Sequence, residues 1–155
     1  RKEERQIVRR TTMELEAEPE AVMSAADILY VQRILRKLPV SDHVVDYAVG
    51  LARATRPKEP GTPQFINEWL TWGAGPRAAQ HLVLGAKAMA LLSGRLNVSC
   101  DDVRRVAKPV LRHRLFTNFN ADAEGIGPDH VVEKLLGVVP EPSGHELAAE
   151  VSSPA

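Results

Sequence analysis

Apolar residues recur at steps of three and four along most of this 155-residue chain, which is the period of an amphipathic helix. One such run begins near Ser24 and stops at Pro39. A second helix is predicted to follow, because Ser41 is a suitable N-cap and Arg56-Pro57 ends the pattern. The first run contains Ile28, Val31, Ile34, Leu35 and Leu38, and the predicted buried face of the second helix contains Val44, Val45, Ala48, Val49, Leu51 and Ala52.

The middle of the chain predicts a loop, a short apolar segment and a long helix. Residues 57–63 hold three prolines and a glycine, which is typical of a loop. The short segment, 64–72, ends before Gly-Ala-Gly. Its two tryptophans, Trp69 and Trp72, are expected in the core, with packing against a neighbouring domain as the alternative. The long helix is predicted from about Pro76 to Ser93, with Gly94 as its stop. Its predicted apolar positions are Ala79, Leu82, Val83, Ala86, Ala90 and Leu92.

The last third carries clear signals for where helices begin. Ser99 and Asp102 have the spacing of a capping box, which predicts a helix that Pro109 should kink or divide. A short extended piece is expected at 116–119 and a turn at 125–127. Pro128 should begin a final helix.

These elements predict an all-α fold, a small bundle of four to six helices with almost no strand. Because the chain opens on Arg1, we interpret it as a fragment. We expect residues 1–12 to be the end of a helix from an upstream domain and 13–23 to be a linker. The helical domain is expected at 24–140 and a disordered tail at 141–155.

Charge and composition narrow the function classes. Lysine and arginine number 20, as do aspartate and glutamate, so the formal net charge is zero. A protein that binds nucleic acid independently of sequence needs a basic surface, which this balance of charge does not supply. We therefore do not expect nucleic acid as a partner. No apolar run approaches the roughly 20 residues of a membrane span, and the single cysteine excludes an internal disulfide. A cytoplasmic location is therefore expected.

Motifs for catalysis are missing from the sequence. It contains no G-x-x-x-x-G-K phosphate loop and no G-x-S-x-G elbow, and its five histidines lack metal-ligand spacing. We therefore predict no catalytic residue and no metal ligand in this chain. Cys100 lies just inside a helix N-terminus, which can lower a thiol pKa, but without a nearby histidine we expect inert packing.

Arg77 is the candidate binding residue. Gly75 is expected to free the backbone for a turn, and Pro76 suits the first helical position, which places Arg77 in the first turn. A cation is disfavoured there, because the helix dipole already makes that end positive. The position of Arg77 therefore predicts that its side chain faces an anion. Helix N-termini are suited to binding phosphate. The alternative is a surface arginine paired with a carboxylate of the same domain.

Four segments together resemble a known family. They are WGAGPRA at 72–78, AKAMALLSGR at 86–95, VSCDDV at 98–103 and VLRHRL at 110–115. Their order and spacing are similar to those of the C-terminal lid of MoxR-type AAA+ ATPases, over about residues 24–140. ATR at 54–56 and DAEG at 122–125 also match. Gly75 stands where the family usually has serine, and Cys100 where proline is common.

The resemblance implies a role for Arg77 as the sensor 2 residue, which contacts the γ-phosphate of ATP beside the helix N-terminus at Gly75 and Pro76. The ATP and Mg²⁺ would be bound mainly by a core domain that these residues do not include. The fragment alone would not hydrolyse ATP, whereas the parent protein would. Implied partners are that core domain, neighbouring subunits of a ring, often a hexamer, and von Willebrand factor A-domain proteins. The implied activity is chaperone-like remodelling.

Two other functions stay open at this stage. One is a helical nucleic-acid-binding module, whose basic helix would present Arg104, Arg105, Lys108, Arg112 and Arg114. The other is a protein-interaction bundle without a nucleotide role, in which Arg77 forms only a surface ion pair.

Overall fold

A computed structural model of the chain describes residues 1–13 and 20–142. Within these ranges the chain is mainly helical, with one two-stranded ribbon, which confirms the predicted all-α fold. The predicted number of helices is too low, because α4 and α7 have only six and five residues and show no periodicity. The described elements are α1 (Lys2–Thr12), α2 (Ala25–Lys37), α3 (Asp42–Ala54), α4 (Gln64–Trp69), β1 (Leu70–Trp72), α5 (Pro76–Leu92), α6 (Cys100–Leu111), a 3₁₀ helix (Arg112–Arg114), β2 (Phe116–Thr117), α7 (Phe119–Ala123) and α8 (Pro128–Val138).

The chain divides into two units, residues 1–32 and 33–155. The boundary falls inside α2, whose periodic apolar residues are exposed: Ile28 by 48%, Val31 by 47% and Ile34 by 38%. In the first unit, α1 has no buried residue. The proposed limits at 1–12, 13–23 and 24–140 stay predictions. Residues 14–19 of the predicted linker, and the predicted tail from 143 onward, lie outside the described residues.

The core of the second unit is formed where α5 packs against α3 and α6, and α8 packs against α6. Small residues on α5 permit this close approach, since Ala78, Ala86 and Ala90 are at most 1% exposed. The largest fully buried side chains come from five elements: Tyr47, Leu51, Ile66, Leu82, Leu111 and Leu135.

In α3 and α5, one predicted buried position of each helix is exposed. Val49 is 39% exposed, because it lies on a side of α3 that lines an open cavity. Leu92 is 82% exposed, because it is the last residue of α5 and lies beyond the buried Ala90. The predicted positions Val44, Ala48, Leu51 and Ala52 of α3 are buried, as are Leu82, Ala86 and Ala90 of α5.

Local signals place most helix ends correctly. Gly94 follows α5 with a φ of +70°, which glycine adopts without strain. Ser99 caps α6 through the predicted capping box with Asp102. The expected division at Pro109 is wrong, because α6 continues through it to Leu111 before the 3₁₀ turn. A proline this near the end of a helix removes only one of the last N–H bonds.

The ribbon joins two segments that are far apart in the sequence. β1 and β2 pair in antiparallel fashion, with Leu70 opposite Thr117 and Trp72 opposite Phe116. The predicted extended piece at 116–119 is therefore confirmed for its first two residues, whereas Phe119 begins α7.

Candidate functional site

The structure places Arg77 in the exposed first turn of α5, which begins at Pro76 as predicted. Gly75 is the N-cap, with φ −79° and ψ 179°. Any residue adopts this extended backbone, so the expectation that the turn needs glycine at position 75 is wrong. Pro76 begins the helix and donates no hydrogen bond, which leaves Arg77 with the first backbone N–H of α5.

The first turn of α5 differs in charge from those of the other long helices. Acidic residues in the first turn offset the positive end of the helix dipole in α1, α2, α3, α6 and α8. The first turn of α5 contains no acidic residue and has Arg77 instead. Two sources of positive potential therefore coincide at this helix end, which favours an anion nearby.

Arg77 makes no ion pair and no side-chain hydrogen bond within residues 1–13 and 20–142. The alternative in which Arg77 pairs with a carboxylate of its own domain therefore finds no partner in the described chain. Its backbone N–H also donates to no carbonyl there, whereas the Ala78 N–H donates to the Gly75 carbonyl at 2.9 Å. The guanidinium and this N–H are both available to a ligand.

The loop before α5 is held by the end of α3. The Ala74 N–H donates to Thr55 Oγ1 at 2.8 Å, and Arg56 Nε donates to the Ala74 carbonyl at 2.9 Å. Gly73 packs so closely here that a Cβ on it would lie 2.1 Å from the Thr55 carbonyl oxygen. The sequence pattern identified Arg56 only as the end of the second predicted helix, and the family resemblance matched residues 54–56. Neither assigned a functional role to Thr55 or Arg56.

Two clefts adjoin the entry to α5. One has a volume of about 720 Å³ and lies between α3 and α5, with Val45, Val49 and Val83 in its apolar wall. The other, about 480 Å³, lies between residues 56–59 and 71–76. Arg56 and Pro76 line both clefts, whereas Arg77 lines neither.

The five basic residues predicted for a nucleic-acid-binding helix do not form an open basic face. Four of them bond within the domain: Arg104 to Tyr47 Oη at 2.9 Å, Lys108 to Glu133, Arg112 to Asp129 at 3.0 Å, and Arg114 to the Val110 carbonyl at 2.8 Å. Because acidic partners neutralise part of this charge, the nucleic-acid alternative loses its main support.

The predicted core position is confirmed for Trp69 and wrong for Trp72. Trp69 is 8% exposed, and its indole N–H donates to Glu124 at 3.2 Å. Trp72 is 70% exposed, because an irregularity in register between Leu70 and Trp72 turns its side chain outward beside Phe116.

Other candidate chemistry is limited. Cys100 is 7% exposed, and burial raises the pKa of its thiol, the opposite of activation. In the part of the chain that the structure describes, no group of three or more His, Cys, Asp or Glu residues could hold a metal ion. Among the same residues, no helix combines the length and apolar character needed to cross a membrane.

Comparison with known proteins gives a consistent family. Residues 65–135 match the AAA lid domain family. The chain is 35% identical over 142 residues to Chaperone MoxR1 of Mycobacterium tuberculosis, covering 90% of this chain and 37% of that protein. It is 37% identical over 73 residues to Protein MoxR of Paracoccus denitrificans, covering 46% of this chain and 21% of that protein.

A solved structure agrees with this assignment. It is that of a candidate ATPase from Cytophaga hutchinsonii, which is similar with a TM-score of 0.74 and 31% identity, over 92% of this chain and 44% of that one. The chain therefore spans less than half the length of each of these relatives. The residues that match the AAA lid domain family include the α5 entry that carries Arg77.

Proposed function

This chain belongs to the lid domains of MoxR-type AAA+ ATPases, and on that basis we propose that Arg77 senses the γ-phosphate of ATP held by a nucleotide-binding domain of the same protein. The lid would close when Arg77 meets the γ-phosphate and would open after hydrolysis removes it. The observation that carries the proposal is the guanidinium of Arg77 in the first turn of α5, which has no ion-pair partner among the residues that the structure describes.

The residues at this helix end fit a phosphate group. An arginine offers several N–H donors in a fixed fork that matches phosphate oxygens, and the adjacent Arg77 amide adds a donor along the helix axis. No carboxylate lies in the first turn of α5 to repel an anion. Gly75 and Pro76 present no long side chain that would keep a phosphate from the helix end.

The division of labour in this proposal follows the family. ATP and Mg²⁺ would be bound mainly by the nucleotide-binding domain, where the ion would neutralise phosphate charge during transfer. This chain would contribute binding and positioning through Arg77. The lid by itself would then be inactive as an ATPase, and hydrolysis would be an activity of the whole protein.

The wider setting is also part of the proposal. Because one relative is named a chaperone, we expect the whole protein to remodel partner proteins in an ATP-dependent way. As the family resemblance implies, it would act in a ring, often a hexamer, in the cytoplasm, with von Willebrand factor A-domain proteins among its partners.

The test is Arg77→Ala in the full-length protein, with ATP hydrolysis and the dissociation constants of ADP and of the non-hydrolysable ATP analogue AMP-PNP as readouts. Loss of a hydrogen-bonded charge should weaken AMP-PNP binding about tenfold or more and leave ADP binding nearly unchanged. Hydrolysis should fall in parallel.

Arg105→Ala is the matched control, because Arg105 is an exposed arginine on α6 without an ion pair in the described residues. It should leave both nucleotides and hydrolysis unaffected. If Arg77→Ala keeps normal hydrolysis and a normal preference for AMP-PNP, Arg77 is not the phosphate sensor.

A further inference from the structure

We propose that Thr55 is a positioning residue for Arg77, acting with Arg56 through the backbone of Ala74. This inference rests on the proposed function of Arg77 as a phosphate sensor and adds the part of the fold that aims it. Thr55 and Arg56 follow the last residue of α3, and Ala74 lies three residues before Arg77.

Both backbone groups of Ala74 are bonded to these two residues. Thr55 Oγ1 accepts the Ala74 N–H at 2.8 Å, and Arg56 Nε donates to the Ala74 carbonyl at 2.9 Å. A peptide segment bonded on both sides cannot rotate or slide without breaking one of the two bonds. The path of the chain into α5 is therefore fixed relative to the end of α3.

Thr55 is itself held in place. Its side chain is fully buried, with 0% exposure, and its hydroxyl donates to the Ala52 carbonyl at 2.6 Å while accepting from Ala74. One hydroxyl can donate once and accept at the same time, so both roles are satisfied together. Valine, which has the same shape, would leave the Ala74 N–H without this acceptor.

Arg56 is fixed from two further directions. Its Nη1 donates to Glu59 Oε1 at 3.1 Å, and its carbonyl accepts from Thr62 Oγ1 at 2.8 Å. Its guanidinium is thus engaged with protein groups near the candidate phosphate position. This assigns Arg56 to support of the loop and leaves Arg77 as the arginine available to the anion.

The two hydrogen bonds to Ala74 matter for Arg77 because only two residues separate Ala74 from Arg77. Ala74 is 1% exposed, and Ala78, one residue beyond Arg77, is also 1% exposed and packed in the core. Arg77 is therefore an exposed residue in a segment whose backbone is held in place on both sides. A guanidinium can distinguish three phosphates from two only if its origin is held to within a fraction of an ångström.

The experiment measures the preference for AMP-PNP over ADP, as a ratio of dissociation constants, in the full-length protein. Thr55→Val should reduce this ratio about threefold or more, whereas Thr55→Ser, which keeps the hydroxyl, should stay within about twofold of wild type. In an Arg77→Ala background, Thr55→Val should change the ratio less than about twofold, because the residue it positions is gone.

Val132→Ala is the control for lost stability. Val132 is fully buried in α8 and takes no part in the hydrogen bonds of Thr55 and Arg56 with Ala74. It should lower the melting temperature without changing the nucleotide preference. If Arg77→Ala abolishes the preference but Thr55→Val keeps it, the positioning role is overturned while the sensor stands. If Arg77→Ala itself leaves the preference intact, the proposed function fails, and the positioning role fails with it.

Discussion

The Cα of Gly73 lies so close to the carbonyl of Thr55 that an added Cβ would come within 2.1 Å of its oxygen and 2.5 Å of its carbon. Gly73 has no positive φ, so glycine is required here by space and not by backbone conformation. A third atom, the Cα of Arg56, would lie 2.8 Å from this Cβ. All three atoms belong to the backbone just after α3, so none can rotate away. This contact lets Ala74 reach Thr55 and Arg56.

Gly73→Ala should therefore lower the free energy of unfolding by about 2 kcal/mol or more, because the backbones of two segments must separate. The measurement is urea unfolding of this chain followed by far-ultraviolet circular dichroism. Gly50→Ala is the control, since nothing lies within 4 Å of a Cβ there. Equal midpoints for Gly73→Ala and wild type would show that the close approach does not exist in solution.

Gly75 should behave in the opposite way. As an N-cap with extended backbone and open space around it, it can accept a side chain, and serine would supply an acceptor for the amides of the first turn. We expect Gly75→Ser to raise the free energy of unfolding by a few tenths of a kcal/mol and Gly75→Ala to lower it, by as much as about 1 kcal/mol. The stability order Ser, Gly, Ala in urea unfolding checks this, and an order with Ala first would contradict it.

These two glycines show where sequence reasoning succeeds and where it stops. Pro76 and the Ser99–Asp102 pair are local signals, and both place a helix start correctly. The need for glycine at 73 depends on a backbone 18 residues earlier in the chain, at Thr55. Sequence reasoning assigned the turn to Gly75 because no local pattern reports such a contact.

In the candidate site, too, local features were predictable from the sequence and contacts between distant residues were not. The position of Arg77 follows from the two residues before it and from the family motif. The Thr55–Ala74 bond spans 19 residues and involves a backbone N–H that no side-chain pattern reveals. The pairing of β1 with β2 was missed for a similar reason, because Trp72 and Phe116 pair across 44 positions. The outward turn of Trp72 depends on an irregularity in that pairing.

The two tryptophans should differ sharply in their effect on stability. Trp69 packs against Phe65 with ring centroids 5.4 Å apart and lies under the Lys134 ammonium at 4.3 Å, so Trp69→Ala should cost about 3–5 kcal/mol. Trp72 is 70% exposed, so Trp72→Ala should change the free energy of unfolding by no more than about 0.5 kcal/mol. Urea unfolding of both variants checks this pair. Similar losses in both would place Trp72 in the core after all.

Asp102 predicts a dependence of stability on pH. It is 1% exposed, and its carboxylate accepts from both terminal nitrogens of Arg95, at 2.9 and 2.5 Å, and from the Ser99 N–H at 3.0 Å. The hydrogen bonds from Arg95 hold the pKa of Asp102 below its ordinary value. The folded state therefore binds fewer protons here than the unfolded state, and the carboxylate stabilises the fold at neutral pH.

The contribution of Asp102 should be fully present above about pH 5 and should decline as the pH falls below about 4, through the lowered pKa. Asp102→Asn should lower the free energy of unfolding by about 1–3 kcal/mol at pH 7, because Arg95 and the Ser99 N–H lose their buried, charged acceptor. The difference from wild type should shrink in acid. Asp101→Asn is the matched control, an exposed neighbour in the same first turn of α6, with an expected cost below about 1 kcal/mol. Urea unfolding of all three proteins from about pH 3 to about pH 7 gives the comparison. A gap between Asp102→Asn and wild type that stays constant over that range would mean that the charge of Asp102 does not stabilise the fold.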